Sequence, residues 1–255
     1  MGEASLLSGF DEISLAQLLM IAATALVASI VGGVAGYGTG ALMPLVLVPI
    51  VGAEPVVPII SLSALFTNAS RVAAFRHLID ARLAAIVLLS AVPTCAVGAW
   101  GYTKLSGRGA LVVIGAMLIA TVPLRRAMRR RGLALSARGL AIAAFTWGPL
   151  AGGTVGAGTI LLSLLMAAGL EGAAVIATDA VVSIGIGLTK FVTFGLAGAV
   201  TVQVVMVAVL IGCVAFPGAF VAKALVAHLP LHLHTALLDA VVIAGGAAMI
   251  VNAVV

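Results

Sequence analysis

The chain has 255 residues, of which 63% are hydrophobic and only 8% charged, with a net charge of +5. A soluble domain carries about 25% charged residues, so this composition cannot cover a water-facing surface, and the modest positive charge does not point to nucleic acid. Long apolar runs with few charges predict an all-α, polytopic helical membrane protein rather than a barrel, whose strands would alternate.

Apolar runs fall at about 13–35, 39–53, 55–76, 82–102 and 109–124, and again at about 139–152, 157–170, 172–195, 199–226 and 234–254. The second and seventh are too short for a full crossing, which needs about 20 residues. Eight crossings and two short or re-entrant pieces are therefore expected. The organisation predicted is an N-terminal repeat of membrane helices over 1–124, a basic connecting loop over 125–138 and a C-terminal repeat over 139–255. The opening residues, Met1–Asp11, lack a basic n-region, so no cleavable signal is expected.

Between the first two runs lies Gly36-Tyr37-Gly38-Thr39-Gly40, led by Gly32-Gly33. Residues 152–158 repeat the feature as Gly-Gly-Thr-Val-Gly-Ala-Gly, and Gly38 corresponds to Gly156 at an offset of 118. Clustered glycines end a helix, and the freed backbone groups must face protein or a watery cavity, not lipid. Two Gly-interrupted segments at matching places point to a transporter binding site; the alternative is close helix packing through small residues.

Arg125, Arg126, Arg129, Arg130, Arg131 and Arg138 cluster in the connecting loop, which marks it as cytoplasmic. If every run crosses, Arg71, Arg76, Arg82 and Lys223 fall on the same side, Lys104 and Arg108 on the other, and both termini are periplasmic. Five crossings per half make the halves inverted; short runs that fail to cross make them parallel. Both arrangements are compatible with the sequence. Cys95 and Cys213, also 118 apart, read as equivalent small packing positions rather than a disulfide or metal site. Glu54 and Glu171 read as helix-start carboxylates. His228, His232 and His234 have a spacing that suits a metal but read better as an interfacial loop, and Trp100, Tyr102 and Trp147 read as aromatic belts.

The first glycine cluster runs into Ala41-Leu42-Met43-Pro44-Leu45, and Ile79-Asp80-Ala81-Arg82 precedes the fourth run. The second half repeats the scheme with Gly156-Ala157-Gly158-Thr159 and then Ala177-Thr178-Asp179. Taken in order over nearly the whole chain, this resembles the TauE/SafE sulfite exporter family of membrane permeases. The resemblance implies transport of a small sulfur-containing anion, sulfite or an organosulfonate, across the inner membrane, with outward movement favoured. Two departures bear on substrate or coupling: Thr39 stands where members often carry another glycine, and Asp179 where a serine is common.

An ionisable residue at the centre of a membrane helix costs at least about 2.5–3.5 kcal/mol, so each needs a reason. Ser61, Ala64, Asn68 and Arg71 share one helical face. Arg71 either meets a sulfonate or sulfite oxygen pair with its guanidinium fork or snorkels to the cytoplasmic surface. Asp179, Ser183, Ile186 and Lys190 form a matching stripe. Lys190 is a second anion contact or snorkels outward, and Asp179 either carries a proton in transport or forms a structural pair. Asp179 and Lys190 are about 16 Å apart along a helix, too far to pair. Asp239 lies nearer an interface and is given no role.

The substrate-binding set expected is therefore Gly38, Thr39, Gly40, Asn68, Arg71, Gly156, Gly158, Thr159 and Lys190, with Asp179 for proton coupling and no cofactor or metal. Helix N-termini and bare N–H groups at the breaks favour an anion. The rivals are a passive anion channel on the same scaffold and an intramembrane enzyme. The enzyme is disfavoured because no membrane-depth His lies near the Ser and Asp residues in sequence. Oligomeric state is not legible, since lipid-facing helices are apolar in any case.

Overall fold

The computed structural model describes residues 10, 13–35, 39–130, 134–225 and 231–254. Among them the chain is all helix, without strands. In order come α1 (Leu15–Ala35), α2 (Thr39–Val51), α3 (Val56–Phe75), α4 (Ala81–Tyr102) and α5 (Gly107–Arg130). Then follow α6 (Ala137–Gly153), α7 (Gly158–Ala167), α8 (Ala173–Leu196), α9 (Val202–Ala215), α10 (Gly218–Leu225) and α11 (Leu231–Val254). A 3-10 turn, Arg76–Leu78, separates α3 from α4.

Several starts follow from local polar residues. Ser14 and Gln17 exchange side-chain to backbone hydrogen bonds of 3.3 and 2.9 Å before α1, a capping box. Asp80, Ser136 and Thr201 accept the N–H groups of Leu83, Gly139 and Val204 at the starts of α4, α6 and α9. Glu54 and Glu171 cap nothing: α3 and α8 begin at Pro55 and Gly172 without a side-chain bond, and both carboxylates are exposed. The tenfold run pattern holds with one change. The ninth run is two helices, because Pro217 has no N–H to continue α9. The Ala215 carbonyl at that break accepts the Ser29 hydroxyl of α1 at 2.6 Å.

Among the described residues, six stretches are long and apolar enough to cross a membrane: Leu15–Gly32, Val56–Leu78, Ala81–Tyr102, Gly107–Met128, Ala173–Leu196 and Val202–Ala222. The chain is a polytopic membrane protein. The expected crossing at 139–152 takes a different form. The Leu135 N–H, just before α6, donates to the Ala167 carbonyl at the end of α7 over 2.7 Å. So α6 and α7 make a hairpin that enters and leaves on one face of the bundle. At 17 and 10 residues they rise about 25 and 15 Å, short of a hydrocarbon core of about 30 Å.

The basic connector is also shorter than 125–138. α5 continues through Arg130, because Leu, Arg, Ala and Met favour helix and nothing interrupts them before Gly132. Arg131 lies outside the described residues, as does His228; His232 and His234 belong to α11 rather than a loop.

Contacts between side chains and glycines give the helix directions. α3 and α8 run antiparallel, with Gly187 against Ser61 and Leu65 at one end and Asp179 beside Arg71 at the other. α5 and α11 also run antiparallel, with Gly115 against Ile250 and Gly246 against Ile119. α4 and α6 run parallel and nearly touch: a Cβ on Gly98, Gly148 or Gly152 would collide with Pro149, Thr94 or Cys95. Gly148 and Gly152 are one turn apart, the spacing by which small residues let membrane helices approach.

Among the described residues two apolar cores result. One joins α1, α2, α3, α9 and parts of α5 and α11, around Ile21, Met43, Leu47, Ile59 and Ile211. The other joins α4 to α6, α7 and α8, around Val87, Leu140, Leu161 and Leu165. α4 thus packs with helices of the second half, and α9 with those of the first. Leu89, Ile142 and Leu196 face outward, as lipid-facing residues do.

Candidate functional site

The second glycine cluster has two jobs. Gly152 and Gly153 are the last residues of α6 and lie against α4. The break comes after them, where Thr154 is extended (φ −152°, ψ −171°) and Gly156 takes φ +83°. A side chain is strained at that φ, so glycine is needed there. α7 then starts at Gly158.

The backbone groups freed by the break have partners from elsewhere. The Trp147 indole N–H donates to the Ala157 carbonyl at 2.9 Å. The Lys190 ammonium, carried on α8, donates to the carbonyls of Ala151 and Thr154, both at 3.0 Å. It caps the C-terminus of α6, where the helix dipole is negative. Lys190 is buried, at 6% exposure, so it does not snorkel. No carboxylate pairs with it among the described residues. The Thr154 hydroxyl beside it is buried without a hydrogen-bond partner.

The start of α2 meets this break. A Cβ added to Gly40 would lie 3.2 Å from the Gly156 nitrogen and 3.5 Å from its Cα. The N-terminal ends of α2 and α7 are therefore neighbours, although their residues are more than 100 positions apart in the chain. Thr159 is buried, and its hydroxyl donates to the Gly156 carbonyl at 3.2 Å, closing the first turn of α7. Thr39 is half-buried at the head of α2. Gly38, with Gly36 and Tyr37, lies outside the described residues.

Arg71 and Asn68 go elsewhere. Arg71 Nη1 lies 3.9 Å from Asp179 Oδ2 and donates to Asn68 Oδ1 at 3.4 Å. All three residues are buried, so Arg71 does not snorkel either. Asp179 Oδ1 has no hydrogen-bond partner. Its neighbour Thr178 accepts the Asp80 N–H at 3.0 Å, which ties the start of α4 to α8. Asp179 and Lys190 are eleven positions apart on α8, about 16 Å. Gly40, Gly156, Gly158, Thr159 and Lys190 thus gather at one place, and Asn68, Arg71 and Asp179 at another.

Tyr102 and Trp147 are corrections to the expected aromatic belts. Both are buried, and their polar atoms serve backbone carbonyls: the Tyr102 hydroxyl donates to Ala53 O at 2.8 Å. Trp100 fits an interface, being 57% exposed with the Lys104 ammonium 5.1 Å from its ring centre. Cys95 is a packing position against Gly152, whereas Cys213 is exposed, so the two cysteines are not equivalent; both are free thiols. No group of metal-ligating side chains occurs among the described residues, and the side chains of His232, His234 and Asp239 lie outside them. The residues that sequence reasoning missed are Thr154 and Trp147. Thr154 lay inside the second glycine cluster, and nothing local marked its hydroxyl as unpartnered.

Residues 21–249 match the model of the family described as Sulfite exporter TauE/SafE. No curated protein and no solved structure matches the chain.

Proposed function

The chain belongs to the sulfite exporter TauE/SafE family, and from that premise we propose that it is a secondary transporter for a small sulfur-containing anion, sulfite or an organosulfonate. It exports the anion by alternating access at the place where α2 and α7 meet. The observation that carries this reading is the close approach of the Gly40 and Gly156 backbones, which leaves no room for a side chain on Gly40 without a shift. It brings two helix N-termini together inside a membrane protein, where N–H groups and dipoles favour an anion. Lys190 and Thr154 add a cation and a free hydroxyl at the same break.

Residues 1–124 and 139–255 act as two repeats in this reading. The antiparallel packing of α3 on α8 and of α5 on α11 supports the inverted arrangement, with the arginine-rich segment cytoplasmic and both termini periplasmic. Rocking of the repeats then exposes the site to each side in turn. Asn68 and Arg71, expected as anion contacts, lie apart from that break toward the C-terminal end of α3, where the Asp179 carboxylate already faces the guanidinium. The ion pair with Arg71 supports the structural role for Asp179 over the proton-carrying one.

Uptake of labelled sulfite and methanesulfonate into proteoliposomes, with and without an imposed proton gradient, tests the proposal. Accumulation driven by the gradient is the expected result. Equilibration without accumulation would replace the transporter with a passive channel. Gradient-driven flux that disappears in a folded Asp179→Asn variant but survives Arg71→Lys would restore the proton-carrying role to Asp179.

A further inference from the structure

Three charged side chains are buried among the described residues: Arg71, Asp179 and Lys190. Arg71 and Asp179 neutralise one another. Lys190 donates to two carbonyl oxygens and has no carboxylate partner among the described residues. Of the helix ends at the break, the negative end of α6 offsets the positive end of α7, and the N-terminus of α2 adds only a partial charge of about half a unit, so Lys190 holds the one full charge there among the described residues. Among the described side chains one uncompensated positive charge remains, beside the unpartnered Thr154 hydroxyl.

We propose that this single charge makes the protein selective for monovalent anions: bisulfite and sulfonates are carried, and tetrahedral dianions of the same size are rejected. The inference rests on the transport reading above and specifies the charge of its substrate. A monoanion at the break cancels the charge of the buried side chains. A dianion reverses its sign and leaves an unpaired charge in a medium that penalises one. Lys190 is suited to the contact, since an ammonium has three donors and two are used by Ala151 and Thr154.

Methanesulfonate and sulfate make the comparison direct, being tetrahedral, similar in size and different in charge. Proteoliposome flux of the two is expected to favour methanesulfonate by at least about tenfold. Asp179→Asn removes a negative charge about 16 Å from Lys190 and leaves Arg71 positive. At an effective dielectric of about 20 this should narrow the preference about fivefold, while Asp179→Glu keeps the wild-type ratio. Lys190→Gln strands no carboxylate and should cut methanesulfonate flux at least about tenfold. Equal flux of the two anions in wild-type protein overturns the charge inference and leaves transport standing. An unchanged ratio in folded Asp179→Asn, or full methanesulfonate flux in Lys190→Gln, also overturns it. Absence of flux for sulfite, methanesulfonate and sulfate alike overturns the transport reading itself.

Discussion

Arg71 and Lys190 are two cations with the same burial and opposite kinds of partner. Arg71, on α3, faces the Asp179 carboxylate of α8 and the Asn68 amide. Lys190, on α8, faces the carbonyl end of α6. The first arrangement is closed, because charge meets charge and little remains to attract a solute. The second is open, because dipoles satisfy donors without cancelling the charge. The comparison teaches that a buried ionisable residue in a membrane protein is not by itself a binding site. What matters is whether its charge has already been matched.

The largest expected effect breaks the closed side. Arg71→Ala leaves Asp179 buried without its cation and should cost about 3–5 kcal/mol of stability, read from unfolding in detergent. Arg71→Met combined with Asp179→Leu should recover most of it, since no charge is then stranded. If the single substitution is neutral, the pair is not the closed unit described here. On the open side, Lys190→Met removes the donors of two carbonyls and should cost roughly 1–3 kcal/mol. It should nevertheless abolish anion flux, whereas the Arg71→Met, Asp179→Leu protein retains flux. The reverse pattern would exchange the roles of the two cations.

The break that Lys190 serves can be probed separately. Gly156→Ala places a side chain at φ +83° and should cost about 1–2 kcal/mol, with reduced flux as the N-termini of α2 and α7 separate. Trp147→Phe deletes one hydrogen bond to Ala157 and should cost about 1 kcal/mol. Unaltered flux in a destabilised Gly156→Ala protein would mean that the meeting of α2 and α7 is packing alone.

The glycine clusters show how far local pattern reaches. Gly156 and Gly158 could be read as a break, since clustered glycines cannot sustain a helix. Gly152 and Gly153 belong to the same cluster in sequence but are helical and press on α4. Their role depends on Cys95 and Gly98, about 55 positions earlier, which no local pattern contains. The same limit applies to Tyr102 and Trp147, whose hydrogen bonds go to buried carbonyls. An amphipathic ring suits a membrane interface and a buried carbonyl equally well, and only the neighbours distinguish them.

The amino-acid sequence was enough to establish a helical membrane protein, the approximate places of most apolar segments, and the break at Gly156. Those properties depend on hydropathy, glycine and proline over a few neighbouring residues. The tertiary structure decided that α6 and α7 form a hairpin, that α4 joins the core of the second half, and that α3 and α8 run antiparallel. It also decided that Arg71 finds a carboxylate while Lys190 finds a helix end. Each of these depends on contacts between distant residues, which arise when whole helices pack and are not encoded in any local period.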